Sequence, residues 1–225
     1  MEQERRTQQV VSHYYQLSVP DRNSHGRLPL LIALHGYAGD MSSMMGVAKG
    51  VAGEEMLVAS LQGPHQFWVS SMDVLDTRKV GFGWMTQFKS EESQERHHEL
   101  VRKVIEDLRD AYRADIKRIF LMGFSQACAL NYRLAFTHPG IVRGVIGVCG
   151  GIPGDLDDPK YKQIPAAVLH IATREDQYYT SERTRSFDSA LRRLASDVSY
   201  REYEGPHAFP RRSIPYIRKW ILDRC

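Results

Sequence analysis

In the stretch Gly-Phe-Ser-Gln-Ala (123–127), Ser125 stands where an apolar run ends and a helix-patterned segment begins. A serine between a buried strand and a helix sits on a sharp turn, and the pattern is that of a nucleophile elbow, G-x-S-x-G, with Ala127 in the last place. Neighbours crossing such a turn need little or no side chain, which Gly123 and Ala127 supply. The turn lifts the hydroxyl above the sheet edge. It also aims the backbone N–H of Gln126 into the same space, with the helix N-terminus adding partial positive charge. A serine ahead of a helix is also the form of an ordinary N-cap, so Ser125 alone decides nothing.

A serine nucleophile needs a base, and the base needs an acid to orient it. After the apolar run 166–173 come Glu175 and Asp176, and after the alternating run 199–205 comes His207. The order Ser, acid, His follows the chain, and both later groups stand at strand ends, where open parallel sheets place their sites. A second oxyanion donor is expected after an early strand. The run "LIALHGYAGD" (31–40) fits, with the N–H of Tyr37 as the donor paired with that of Gln126. Such a set attacks an acyl carbonyl and passes through an acyl-enzyme.

These residues need a frame to hold them. Apolar or alternating runs at 13–19, 28–36, 56–63, 116–123, 142–151, 166–173 and 199–205 read as strands. Helical spacing marks 91–113, 126–137, 181–196 and 211–222. Strand and helix alternate, which predicts an α/β domain: a mostly parallel central sheet with helices on both faces. Residues 63–90 are the least periodic stretch and read as a long loop, with the aromatics Phe67, Trp68 and Trp84 expected near the substrate pocket. The turn-rich segment 152–165 is too short for a large lid.

The chain has 225 residues with 42% hydrophobic and 25% charged, within the range of one globular domain, taken as 1–225. A net charge of +3 gives no reason to expect a nucleic-acid partner. No apolar run is long enough to span a bilayer, and "MEQERRTQQVV" at the start lacks the core of an export signal. Three cysteines, Cys128, Cys149 and Cys225, then suggest reduced thiols and a cytoplasmic setting. The pair His97-His98 diverges by about 100° on a helix, which argues against a shared metal and for solvated surface. His35 is read as structural, holding the oxyanion loop, and Cys149 as a buried thiol.

With these motifs in place, the chain resembles the α/β-hydrolase superfamily, and within it the phospholipase/carboxylesterase group that includes acyl-protein thioesterases. The matching stretches are "LHGYAGD", "LQGP", "GFGW", "GFSQACAL", "ATRED" and "EGPHAFP". The resemblance implies Ser125 as nucleophile, Asp176 as acid, His207 as base, and Tyr37 and Gln126 as oxyanion donors. It departs at Ala127 and Thr173, where the family has glycine, and in a Tyr37 loop one residue longer. The expected reaction is hydrolysis of short to medium acyl esters or thioesters, small-molecule substrates, without metal or organic cofactor. A peptidase, lactone hydrolase or acyltransferase on the same scaffold, or a catalytically silent binding protein, are the alternatives.

Overall fold

A computed structural model describes residues 2–7, 10–21, 26–71 and 74–225. Parts of two sequence readings, residues 1, 8 and 9 of the N-terminal stretch and 72 and 73 of the aromatic stretch, lie outside the described residues. The elements run β1 (Tyr15–Ser18), β2 (Leu28–Leu34), α1 (Met41–Ala52), β3 (Leu57–Leu61), β4 (His65–Ser71), β5 (Val74–Gly83), α2 (Ser90–Tyr112) and β6 (Ala114–Phe124). Then follow α3 (Gln126–Thr137), β7 (Gly144–Val148), β8 (Ala167–Thr173), α4 (Ser181–Thr184), α5 (Phe187–Arg192), β9 (Val198–Tyr203) and α6 (Ile214–Leu222).

Seven strands form one sheet in the order β1-β3-β2-β6-β7-β8-β9. All neighbours are parallel except β1, which pairs antiparallel with β3. The continuous apolar runs follow from burial on both faces. On β2, Leu30, Ile32 and Leu34 enter one core and Leu31 and Ala33 the other. Helices α2 and α3 cover the first face, and α1 and α6 the second. This is the mostly parallel, doubly covered α/β sheet that the sequence predicts. Among the described residues no helix is long and apolar enough to cross a membrane.

Three differences from the sequence reading have physical causes. Within the stretch read as a loop, His65–Ser71 and Val74–Gly83 pair as antiparallel strands, β4 with β5, whose register shifts between Trp68 and Val69. That irregularity, with Gly81 and Gly83 in β5, blurs the alternation by which a strand is read. Helix α1 was not foreseen: Gly46 and Gly50 lie inside it and lower its intrinsic propensity. Tertiary contact overrides this, since Met44, Val47, Ala48 and Val51 are buried. The helical pattern at 181–196 resolves into two short helices, α4 and α5.

His97 and His98 are also not surface groups. Both are buried, at 0% and 8% exposure. They continue the stripe of Leu100, Val101, Val104 and Leu108 by which α2 meets the sheet. His97 Nε2 lies 3.1 Å from Asn131 Oδ1 on α3.

Candidate active site

Ser125 joins β6 to α3 with φ 52° and ψ −113°. A non-glycine residue keeps such a conformation only where its surroundings impose it. They do here: the Ser125 N–H donates to the Val148 carbonyl (2.9 Å), and its own carbonyl accepts from the Cys128 N–H (3.1 Å). Close approach explains the small neighbours. A Cβ at Gly123 would stand 2.6 Å from Asn131 Nδ2, and one at Gly36 would stand 2.8 Å from the Phe124 ring and 3.1 Å from Ser125 Cβ. Ala127 fits in place of glycine, fully buried, because the space it fills is left by Gly123.

The loops after β8 and β9 bring the other two groups together. His207 Nε2 lies 2.9 Å from Ser125 Oγ, and Nδ1 lies 2.7 Å from Asp176 Oδ2. The Nδ1–H donates to the carboxylate, so Nε2 is left to accept the serine O–H. Asp176 is buried, and its other oxygen accepts the N–H groups of Tyr178 and Tyr179, both at 2.8 Å. An Asp whose side chain accepts the N–H groups two and three residues on forms an Asx turn, which fixes this carboxylate inward. Its neighbour Glu175 is exposed and joins the His207 loop only through its backbone N–H, which donates to Gly205 (3.1 Å).

The imidazole is also fixed by rings. Phe124 lies 5.2 Å from its centroid, Tyr178 4.9 Å edge-on and Tyr179 5.9 Å. Sequence reasoning missed these three. Beneath His207, Thr173 donates its hydroxyl to the Pro206 carbonyl (3.0 Å), and Cys149 Sγ lies 3.4 Å from the Ala208 carbonyl. Burial pushes the Cys149 thiol up to about 11, so it stays a neutral packing group.

The N–H groups of Tyr37 and Gln126, the expected oxyanion donors, have no hydrogen-bond partner among the described residues. The loop that carries Tyr37 is tied down by His35. Its Nδ1 donates to the Gly36 carbonyl (2.7 Å), and its Nε2 accepts the Gly63 N–H (2.9 Å). Burial pushes the His35 pKa down, which keeps both roles available.

The three expected pocket aromatics part company. Phe67 stacks on Tyr37, centroids 4.7 Å apart, and so stands beside the oxyanion loop. Trp68, its neighbour on the strand, points the other way and is half exposed. Trp84 is fully buried. Its indole N–H donates to the His35 carbonyl (2.8 Å), so the ring supports the oxyanion loop from behind instead of lining open space. On the α1 side of the loop a cleft of about 200 Å³ is walled by Tyr37, Met44, Val47, Phe124 and Phe209, among others. Among the described residues no group of three or more His, Cys, Asp or Glu side chains could hold a metal ion.

A family model described as Phospholipase/Carboxylesterase matches residues 22–223. A protein of Nocardia uniformis subsp. tsuyamanensis, named "Putative esterase NocK", is 28% identical over 130 residues, which is 56% of this chain and 33% of that protein. The match thus spans about a third of that relative's length. Among solved structures, a Bacillus cereus carboxylesterase superposes with a TM-score of 0.74 at 16% identity, covering 95% of each chain. Esterase PE8 superposes with a TM-score of 0.76 at 15% identity, covering 96% of this chain and 100% of its own. At such identity these two structures speak for the fold.

Proposed function

From its membership of the phospholipase/carboxylesterase family, to which this chain belongs, we propose a serine carboxylesterase or thioesterase that acts on short to medium acyl esters through Ser125, His207 and Asp176. Ester hydrolysis is the activity of the family. The triad and the chain length are the finer reading. One observation carries the triad: a single imidazole bridges the serine hydroxyl and a buried carboxylate at 2.9 and 2.7 Å.

Ser125 Oγ attacks the acyl carbon while His207 Nε2 takes its proton. Charge on the former carbonyl oxygen is met by the N–H groups of Tyr37 and Gln126. His207 returns the proton to the leaving alcohol or thiol, and Asp176 stabilises the imidazolium between the two transfers. Water, deprotonated by the same imidazole, then releases the acid. The segment 152–165 is pinned to α3 by the ion pair of Asp155 with Arg133 (2.7 Å), which supports a site without a lid at that position. The unpaired cysteines fit a reducing, cytoplasmic compartment.

The test has two arms. A fluorophosphonate probe is expected to label the wild type and not Ser125→Ala; equal labelling of both would remove Ser125 from the mechanism. On a panel of aryl esters and acyl thioesters of graded length, kcat/KM is expected to peak at short to medium chains. A rate that keeps rising to long, emulsified substrates would overturn the chain-length assignment.

A further inference from the structure

The side chain of Gln126 does something its backbone N–H does not. Its Oε1 accepts the Trp84 N–H (2.8 Å), and its Nε2 donates to the Met85 carbonyl (3.0 Å). The amide thus pairs with the backbone just past the end of β5, as one strand residue pairs with another. The same short segment grips the opposite wall of the site. The Ala38 N–H donates to the Phe82 carbonyl (2.9 Å), and the Phe82 N–H to the Gly39 carbonyl (3.2 Å). The Trp84 indole N–H donates to the His35 carbonyl (2.8 Å). Tyr37 is therefore bracketed, before and after, by bonds to residues 82 and 84. At the crossing stands Gly83, where a Cβ would lie 3.3 Å from Gln126 Oε1, 3.5 Å from the Tyr37 ring and 3.6 Å from the Phe67 ring.

We propose that the Gln126 side-chain amide is a positioning residue: through the strut 82–85 it sets the spacing between the Tyr37 and Gln126 N–H groups that meet the oxyanion. This rests on the serine-esterase reading above. The two donors come from different places, one from the loop after β2 and one from the first turn of α3. The strut is the piece of backbone hydrogen-bonded to both. Glutamine suits the task because a planar amide offers one acceptor and one donor side by side, matching an N–H and a carbonyl of adjacent residues. Asparagine is a methylene shorter, glutamate loses the donor, and methionine keeps the length without either bond. Spacing matters most when charge develops, because an oxyanion donor acts on the transition state far more than on bound ester.

The experiment uses the full chain, 4-nitrophenyl butyrate as substrate and 1-butaneboronic acid as inhibitor, whose tetrahedral adduct on Ser125 presents an oxygen to both N–H groups. For Gln126→Met, kcat is expected to fall roughly 10- to 100-fold with KM changed less than about threefold, as for a donor displaced by a fraction of an ångström. The boronic acid inhibition constant is expected to rise by a similar factor. A kcat within about twofold of wild type would overturn the proposal, as would a loss of kcat with unchanged boronic acid affinity. Gln126→Glu gives a second, independent reading. Its carboxylate repels the Met85 carbonyl, but the protonated acid regains an O–H donor. The ratio of its kcat to that of the wild type is expected to rise as pH falls from 8 to 5, the range assayed, about toward the carboxyl pKa. A flat ratio would overturn the proposal even if the methionine variant failed to fold. Ser125→Ala in the same assay separates the two levels: if it stays active, the serine-esterase reading fails, whatever the Gln126 variants do.

Discussion

At Ser125 the proposed chemistry and stability pull against each other. The φ of 52° is costly for any residue with a Cβ, about 1–3 kcal/mol, and free for glycine. Two variants separate the effects. Ser125→Ala keeps the strain and removes the proposed nucleophile, so turnover is expected to fall on the order of a million-fold. Ser125→Gly is expected to be equally inactive but to melt at a higher temperature than the alanine variant. Thermal unfolding of the pair checks this, and a glycine variant that melts lower would place the strain elsewhere. The neighbouring carboxylates offer a second contrast. Asp176 meets His207 Nδ1 at 2.7 Å, whereas Glu175 faces solvent. Asp176→Asn would keep the shape but favour the wrong imidazole tautomer, and a fall in kcat of about 10,000-fold is expected. Glu175→Gln is expected to stay within about twofold, as an exposed substitution does. Both are read on one ester, side by side.

Among the elements, α1 and the β4–β5 hairpin flank the Tyr37 loop, and neither was legible in the sequence. Helix α1 begins at the end of the oxyanion loop, where Asp40 Oδ1 accepts the Ser43 N–H (2.7 Å). The cap thus ends the loop and starts the helix in one residue. Asp40→Ala is expected to cost about 1 kcal/mol, measured by chemical denaturation, since two glycines leave α1 little intrinsic propensity to make up the loss. The hairpin holds the other side through Gly39, Phe82 and Trp84. Its aromatic residues looked like pocket lining because aromatic residues in an irregular stretch carry no sign of which face is buried. Once the stretch pairs as strands, Phe67 and Trp68 must point to opposite faces, and Trp84 enters the core shared by β2 and α2, against His35 and His97.

Across the whole molecule, the buried histidines set the response to acid. Burial, with the charge of His98 nearby, lowers the His97 pKa to about 3 despite its bond to Asn131. Burial, with His138 close by, lowers His98 to about 4, and burial alone lowers His170 to about 4. In the unfolded chain each titrates near 6.5, about two units or more higher. The unfolded state therefore takes up protons first. The stability these groups confer is full above about pH 6.5 and is lost progressively as pH falls toward their folded values near 4. The urea midpoint is expected to be steady above pH 7 and to drop between about 6.5 and 5, before most carboxylates titrate. His97→Gln should flatten that slope by about one proton. An unchanged slope would mean that His97 protonates freely in the fold.

The sequence by itself determined the doubly covered parallel sheet, because strands buried on both faces must be continuously apolar and helices packed on them must carry one apolar stripe. It also marked the order serine, acid, histidine, because the elbow and the strand-end loops leave traces in Gly123, in "REDQYY" and in "EGPHAFP". Only the tertiary structure decided what depends on contacts between distant segments. It selected Asp176 over Glu175 by turning one side chain inward, and it buried His97 and His98 where charge patterning suggested water. It made Trp84 a support and not a wall, and it tied the Gln126 amide to residues 84 and 85, some 40 positions away. Those outcomes turn on which surfaces meet, and a local pattern of apolar and polar residues holds no record of its distant partner.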